Sequence, residues 1–326
     1  MEQDGRLHVS AETMHTLADK GLIDGQAHAY ALRRLGKIPT AAQWRHWLDI
    51  ALLVLGVGFL LAGIFFFFAY NWQALPKFGK LATVQTLIVL AAGVAFWRGL
   101  GDHVGKIALS AAAILLGALL AIYGQVYQTG ADNYQLFLWW AILAAGWVAI
   151  SQFPPLWLGW LGLAQVALAT FWQARVDQHY ALLAMLLFAI NALALWLWEW
   201  RQSQRRYGAR LTMLAAIGVV FLPTLAFVSD GFRFYGEPYM GIVVILYLLF
   251  TAACLWIYRK RLRDIFPLAI SGFSLILLTI AMTTQYLDYN DGFLFILIGI
   301  LVLVESALLV RWLQGVDKQW EVADAA

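Results

Sequence analysis

Charged residues are scarce in this chain. Only 13% of its 326 residues are Asp, Glu, Lys or Arg, whereas 62% are hydrophobic. Soluble domains carry about 25% charged and about 45–50% apolar residues, so this composition excludes an ordinary water-soluble fold. The apolar residues fall into blocks of about 20, the length that an α-helix needs to cross the hydrocarbon core of a bilayer. The sequence therefore predicts a membrane protein.

Cysteine is almost absent, because Cys254 is the only one. A single cysteine excludes an intrachain disulfide and leaves the redox compartment undetermined. The P-loop, the HExxH zinc motif and the GxSxG nucleophile elbow are also missing, and the six histidines are scattered. We therefore expect no cofactor and no metal site, and an enzyme is the less favoured class.

One short motif resembles catalytic chemistry. The run from Gly99 to Asp102 matches the GxGD of intramembrane aspartyl proteases. That chemistry needs two carboxylates that share a proton, and Asp49 or Asp264 would have to supply the second. Glycines that end a helix are the simpler explanation of this motif.

Ten apolar segments predict the fold class, an all-α polytopic transmembrane helical bundle. Helices are expected because lipid offers no hydrogen-bond partner to an exposed backbone. The predicted spans are 49–69, 80–98, 106–123, 135–152, 154–173, 179–200, 210–229, 239–258, 264–284 and 292–313. Residues 1–48 form a cytoplasmic helical N-terminal segment, residues 49–313 the bundle, and residues 314–326 a short cytoplasmic tail.

The basic residues predict the orientation of the spans. With the N-terminus inside, 18 of the 22 Lys and Arg residues lie on the cytoplasmic side and 4 lie outside. Because basic residues favour the cytoplasmic side, both termini are expected there. The hairpin at 151–155 has no charge, so spans four and five either cross fully or form a re-entrant pair. Most tryptophans near inner ends, among them Trp157, Trp160 and Trp198, are interpreted as interfacial anchors.

Spans 1–4 and 7–10 share a similar spacing. Residues 70–80 correspond to 230–240, and residues 107–110 correspond to 268–271. A shift by an even number of spans keeps the membrane orientation. The correspondence is therefore consistent with a parallel repeat of the kind found in some transporters. A common bilayer thickness is the alternative reason for the shared spacing.

The two first outer loops combine aromatic rings with neutral amides. Rings that stack and amides that donate and accept hydrogen bonds suit a neutral polar ligand, such as a sugar or a lipid headgroup. An interfacial aromatic belt with polar loop ends is the alternative. The candidate ligand-binding residues of this predicted outer vestibule are Tyr70, Asn71, Trp72, Gln125, Tyr127, Gln128 and Asp132.

Three polar residues inside predicted spans are candidates for a functional role. Intramembrane polar groups are unfavourable and are often functional. Gln165 and Asn191 are candidates for lining a site, although buried amides more commonly form interhelical hydrogen bonds. Glu305 lies about two turns from the inner end of span ten. It is either a protonatable coupling group or a carboxylate that reaches a nearby Arg or water.

The same outer-loop residues carry a family resemblance. The runs Asn71-Trp72-x-x-Leu75-Pro76, Lys80-Leu81 and Gly124-Gln125-x-Tyr127-Gln128, followed by Asp132, resemble a family of predicted bacterial membrane proteins. That family is catalogued as domain of unknown function 2157, and the resemblance covers roughly residues 10–150. It implies membrane location and bacterial origin, and it brings no established activity.

The functional prediction is a transporter or flippase-like protein of the bacterial inner membrane for a neutral polar or lipid-linked substrate. The alternative is a non-transporting scaffold, sensor or envelope-assembly factor that uses the N-terminal helices. The expected partners are the lipid bilayer, a small polar or lipid-linked ligand, and a cytoplasmic or membrane protein. No nucleic-acid partner is expected.

Overall fold

A computed structural model describes residues 11–35, 38–71, 73–201, 206–231, 237–285 and 292–325. Over these residues the chain is all-helical and has no strand, which confirms the predicted fold class. The chain divides into two compact units, the first ending at Val126 and the second beginning at Tyr127.

Ten of the described helices are long and apolar enough to cross a membrane, which confirms the predicted number of spans. They follow two short helices, α1 (Ala11–Asp19) and α2 (Gly25–Arg34). The ten are α3 (Ala41–Tyr70), α4 (Lys77–Arg98), α5 (His103–Tyr127), α6 (Asn133–Ser151), α7 (Pro154–Arg175), α8 (Tyr180–Trp200), α9 (Tyr207–Ser229), α10 (Met240–Ile257), α11 (Ile265–Gln285) and α12 (Gly292–Ala325). A π-helical turn, Tyr258–Leu262, extends α10.

Side-chain caps define the beginnings of the N-terminal helices. Asp24 caps α2, because its Oδ1 accepts a hydrogen bond of 2.6 Å from the backbone N–H of Ala27. Thr40 and Gln43 form a reciprocal capping box at the start of α3. From there α3 runs without a break to Tyr70, so the predicted edge of the first span at residue 49 lies within a continuous helix.

In the first unit, the apolar core lies between α3, α4 and α5. Val84 of α4 is fully buried and packs in one cluster with Leu61 of α3 and Leu115 of α5. The turn between α4 and α5 is tight because Gly99 adopts a positive φ of 76° that favours glycine.

In the second unit, α9 is the most buried helix and packs against α8, α10 and α11. Met213 and Val220 of α9 are 0% exposed, as are Tyr247 of α10 and Leu268 of α11. The predicted inner ends of α9 and α11 are joined by Asp264, whose carboxylate accepts two hydrogen bonds of 3.0 and 3.1 Å from Arg210. This buried carboxylate ties the two helices together.

The α6–α7 hairpin belongs to the same unit. Gln152 ends α6 in the left-handed conformation, and the Ser151 hydroxyl accepts a hydrogen bond of 3.2 Å from the Phe153 N–H. Pro154 then begins α7, where its missing N–H leaves no helical bond unmade. Both helices have the length and hydropathy of a full span. These lengths favour complete crossing over a re-entrant pair.

Candidate functional site

A cavity of about 660 Å³ lies between α6, α7 and α8, and we call it the inner cavity. It is found where α6 ends, α7 begins and α8 ends, at the membrane face predicted to be cytosolic. Its lining residues are mostly apolar and aromatic, with polar groups at the helix ends. They are Ala149, Gln152, Pro154, Trp157, Leu158, Trp160, Leu161, Ile190, Leu193, Ala194, Leu197, Trp198 and Arg201.

The inner cavity has the depth of about one leaflet. Its lining on α8 runs from Ile190 to Arg201, about 16 Å along the axis at about 1.5 Å per residue. Half of a hydrocarbon core of about 30 Å is about 15 Å. The cavity therefore extends along about half of a membrane-spanning length.

Three indole rings form the aromatic part of the wall. Trp157 and Trp160 meet edge to face, with ring centres 6.2 Å apart. Trp198 packs on Gly208 of α9, where an added Cβ would lie only 3.0 Å from the ring. These tryptophans were interpreted from the sequence as interfacial anchors, whereas the structure places them around a cavity.

The polar groups of the inner cavity lie at its mouth. Gln152 follows α6 and Arg201 ends α8. None of the ion pairs between described residues involves the Arg201 guanidinium. An apolar interior below a cationic mouth matches an amphipathic molecule with acyl chains and an anionic headgroup.

Gln165 and Asn191 form a reciprocal amide pair just beyond the deep end of the inner cavity. Asn191 Nδ2 donates to Gln165 Oε1 at 2.7 Å, and Gln165 Nε2 donates to Asn191 Oδ1 at 3.3 Å. Asn191 is 0% exposed. The pair therefore joins α7 to α8, as expected for buried amides within a membrane.

A second, apolar depression of about 480 Å³ runs between α6 and α7 toward their opposite ends, and we call it the outer groove. Its lining residues are Tyr134, Leu138, Ala141, Ile142, Ala145, Trp160, Ala164, Ala167, Leu168 and Phe171. Trp160 lines both the outer groove and the inner cavity. Its indole Nε1 donates a hydrogen bond of 2.8 Å to the carbonyl oxygen of Ala141 on α6. The ring is thereby fixed between the two spaces.

A charged cluster lies at the end of the outer groove. Arg175 Nη2 is 2.8 Å from the carboxylate of Asp132 and 3.3 Å from the Tyr134 hydroxyl. The guanidinium also lies 5.5 Å from the centre of the Tyr134 ring. The sequence singled out Asp132 but missed Arg175, although a lone base at the outer end of span five was a usable signal.

The predicted vestibule residues of the first unit lie either at the end of a helix or on its exposed surface. Tyr70 is 91% exposed at the end of α3. The Asn71 amide donates to the Phe67 carbonyl at 3.0 Å, so it caps its own helix. Gln125 is exposed in the last turn of α5, and Trp72 lies outside the described residues.

The remaining vestibule residues belong to the second unit. Tyr127 is half-exposed, and Gln128 adopts a positive φ of 45° beyond the end of α5. Asp132 is engaged by Arg175. The vestibule as a whole stays a prediction.

Glu305 is held by a hydroxyl within the membrane-spanning part of α12. Thr279 Oγ1 lies 3.0 and 2.8 Å from the two carboxylate oxygens. From Ile265, the first residue of α11, to Thr279 is about 21 Å along the helix. The carboxylate is thus within the span rather than at its end.

The GxGD motif lies in the turn between α4 and α5, and its aspartate is paired. Asp102 accepts a hydrogen bond of 2.9 Å from Arg98. Loss of surrounding water raises the pKa of Asp102, but the hydrogen bonds from Arg98 and from the Val104 backbone outweigh it and hold the pKa below its usual value. Asp264 is likewise paired with Arg210. A carboxylate that is held by an arginine is not available to share a proton with a second carboxylate, as the chemistry of an aspartyl protease requires.

The N-terminal part of the chain matches a known family. Residues 15–157 match the profile described as predicted membrane protein, domain of unknown function 2157. This match confirms the resemblance. The matched region ends at residue 157, in the first turn of α7, so it includes Gln152, Pro154 and Trp157 of the inner-cavity lining. Neither the curated proteins nor the solved structures provide a match to this chain.

Proposed function

We propose that this protein binds a lipid or lipid-linked molecule with a phosphate-bearing headgroup in the inner cavity, as part of a transporter or flippase-like activity. The observation that carries the proposal is the inner cavity itself, with about 660 Å³ of mostly apolar space below Arg201. Lipid-linked substrates were one of the two classes predicted from the sequence. The cavity favours them over a free neutral solute. Acyl chains can fill an apolar space, whereas the hydroxyl groups of a sugar would lack hydrogen-bond partners there.

The headgroup chemistry follows from the mouth of the cavity. A guanidinium binds phosphate oxygens through several parallel N–H donors, which makes Arg201 the favoured contact. The Gln152 amide supplies a neutral donor and acceptor beside it. The indoles of Trp157 and Trp198 cover the region just below the headgroup, where aromatic rings are favoured at a membrane interface.

We place the cavity in the cytosolic leaflet of a bacterial inner membrane. The support is the distribution of basic residues, 18 of 22 on the side of both termini. On this orientation Arg201 meets the leaflet in which anionic lipids attract basic groups.

Lipid binding is tested with the purified full chain in detergent, using a photoreactive phosphatidic acid analogue. We expect Arg201→Gln to lower the yield of crosslinked protein several-fold and Trp157→Ala to lower it further. Arg261→Gln is the matched control, because Arg261 lies near the same membrane face against the Trp256 ring and does not line the cavity. Equal crosslinking of wild type, R201Q and W157A would refute the proposal.

A second candidate function, a scaffold or sensor, is favoured by the apolar surface of the N-terminal helices. Leu22 and Tyr30 are 67% and 59% exposed, and Trp44 and Trp47 at the start of α3 are also exposed. The hairpin of α1 and α2 also ends in two arginines, Arg33 and Arg34. Exposed apolar groups of this kind mark protein or membrane contact sites.

Truncation separates the two functions. Removal of residues 1–38 is expected to leave lipid crosslinking unchanged, because the inner cavity is built from α6, α7 and α8. If the truncated protein loses a cellular phenotype while crosslinking persists, the N-terminal helices carry the scaffold role. If crosslinking is lost as well, the two roles are not separable and the scaffold candidate has no support.

A further inference from the structure

We infer that the inner cavity and the outer groove are two subsites for the same phosphate-bearing lipid, one in each leaflet, and that Trp160 separates them. The inference rests on the proposed lipid binding in the inner cavity. It adds a second binding site, a route along α6 and α7, and the residue that limits movement between the two sites.

Trp160 is the physical junction of the route. It lines both spaces, and its Nε1 donates to the carbonyl oxygen of Ala141 at 2.8 Å. Ala141 is itself part of the outer groove. The indole therefore bridges from α7 to α6 at the residue that the two spaces share, and on the proposed route its displacement joins them.

Both ends of the route carry an arginine, and the two arginines differ in their surroundings. Arg201 at the inner mouth takes part in none of the ion pairs between described residues. Arg175 at the outer end is already paired with Asp132 at 2.8 Å. A phosphate at the outer end therefore competes with a carboxylate. The inner subsite is expected to bind the headgroup more tightly, and the outer subsite to release it.

A polar group lies at the depth of the junction. Gln165 follows Ala164, which lines the outer groove, and lies one helical turn from Leu161, which lines the inner cavity. Its amide is paired with Asn191. Because the donors of both amides are already engaged, a headgroup passing this depth would find a donor only by displacing one of these hydrogen bonds.

The apolar length of the route is appropriate for acyl chains. The outer groove is lined between its ends by alanines, leucines, an isoleucine and Phe171. The small side chains of Ala145 and Ala164 leave the space between α6 and α7 open. A larger side chain at position 164 would fill the groove, and position 164 is not itself part of the lining of the inner cavity.

The test is the transbilayer movement, in proteoliposomes, of a phosphatidic acid that bears a reducible fluorophore. A reductant added outside quenches the fluorophore in the outer leaflet, so the quenched fraction is measured against time. We expect Trp160→Ala to raise the initial rate about tenfold over wild type, equivalent to about 1.4 kcal/mol of activation free energy. Trp160→Phe keeps most of the bulk and loses the hydrogen bond to Ala141, so an intermediate rate is expected. The matched control is Trp196→Ala, because Trp196 is exposed on α8, stacks on Trp200 and lines neither space.

A blocking variant keeps the inference testable if Trp160→Ala does not fold. Ala164→Phe is expected to reduce transbilayer movement to the level of protein-free vesicles. Combined with Trp160→Phe, it should abolish the gain seen in that variant.

The outcomes separate the two proposals. If Arg201→Gln leaves lipid crosslinking unchanged, the proposed function fails and the route fails with it. If crosslinking depends on Arg201 but W160A, W160F and A164F all move lipid at the wild-type rate, lipid binds only in the inner cavity and the route is wrong. Equal acceleration by W160A and W196A would show nonspecific leakage and would also overturn it.

Discussion

Substitution of Gly105 is expected to destabilise the first unit. Gly105 is buried in the first turn of α5, beside the turn that follows α4. A Cβ at this position would overlap the carbonyl oxygen of Gly99, and would lie 3.0 Å from its carbonyl carbon and 3.4 Å from the carbonyl oxygen of Ala95. These are backbone atoms, so no rotation of a side chain can relieve the contact.

The magnitude follows from two opposing effects. Insertion of a methyl group into a packed interior costs about 1–3 kcal/mol, and the upper half of that range applies because backbone must move. Replacement of glycine by alanine in a helix returns about 0.5–1 kcal/mol. The expected net loss for Gly105→Ala is therefore about 2 kcal/mol, by the difference of these two ranges.

Gly93→Ala is the matched control, because Gly93 lies in the adjoining α4 and an added Cβ there meets no atom within 4 Å. The assay is equilibrium unfolding of the purified protein in mixed micelles, followed by tryptophan fluorescence. Gly93→Ala should be as stable as wild type or slightly more stable, and Gly105→Ala clearly less stable. If the two variants unfold together, the close approach of α5 to the α4–α5 turn is wrong.

Three further outcomes are expected from the polar contacts. Asp264→Asn should lower the free energy of unfolding by about 1–3 kcal/mol. The loss is smaller than for a fully buried ion pair because the Arg210 side chain is 44% exposed. Equal unfolding curves for the variant and wild type would refute the ion pair. Asn191→Leu should destabilise the folded protein by about 1–3 kcal/mol, because the Gln165 amide loses its partner. The double variant with Gln165→Leu should recover most of this loss. Additive losses from the two substitutions would contradict the pairing. Asp102→Asn should be less stable than wild type above about pH 4, and the difference should vanish as the pH falls through the lowered pKa of Asp102; a difference that grows in acid would contradict the lowered pKa.

Local composition was sufficient to predict the spans. A segment such as Ile265–Gln285 can be recognised without knowledge of its neighbours, because the need to match hydrocarbon thickness acts on each helix separately. The same holds for the helix-start signals Asp24 and Thr40, whose caps involve residues only three positions away.

The candidate site could be predicted only in part. Trp157, Trp160 and Trp198 lie toward the helix ends that the sequence predicts to be cytosolic, but the pattern does not say which way each ring points around the helix. Depth depends on position along one helix, whereas a cavity depends on the relative rotation of α6, α7 and α8. A cluster of tryptophans at one depth on successive spans was the available signal for a shared wall.

The sequence by itself determined that this protein is a bundle of about ten membrane helices, since apolar length and basic flanks are properties of each segment. Only the tertiary structure decided that Gln165 meets Asn191, that Asp132 meets Arg175 and that Trp160 reaches Ala141. Those contacts join residues on different helices, and their formation depends on how the helices rotate and pack against one another. Within lipid, that packing is selected by van der Waals fit and a few polar pairs, which no single apolar segment encodes.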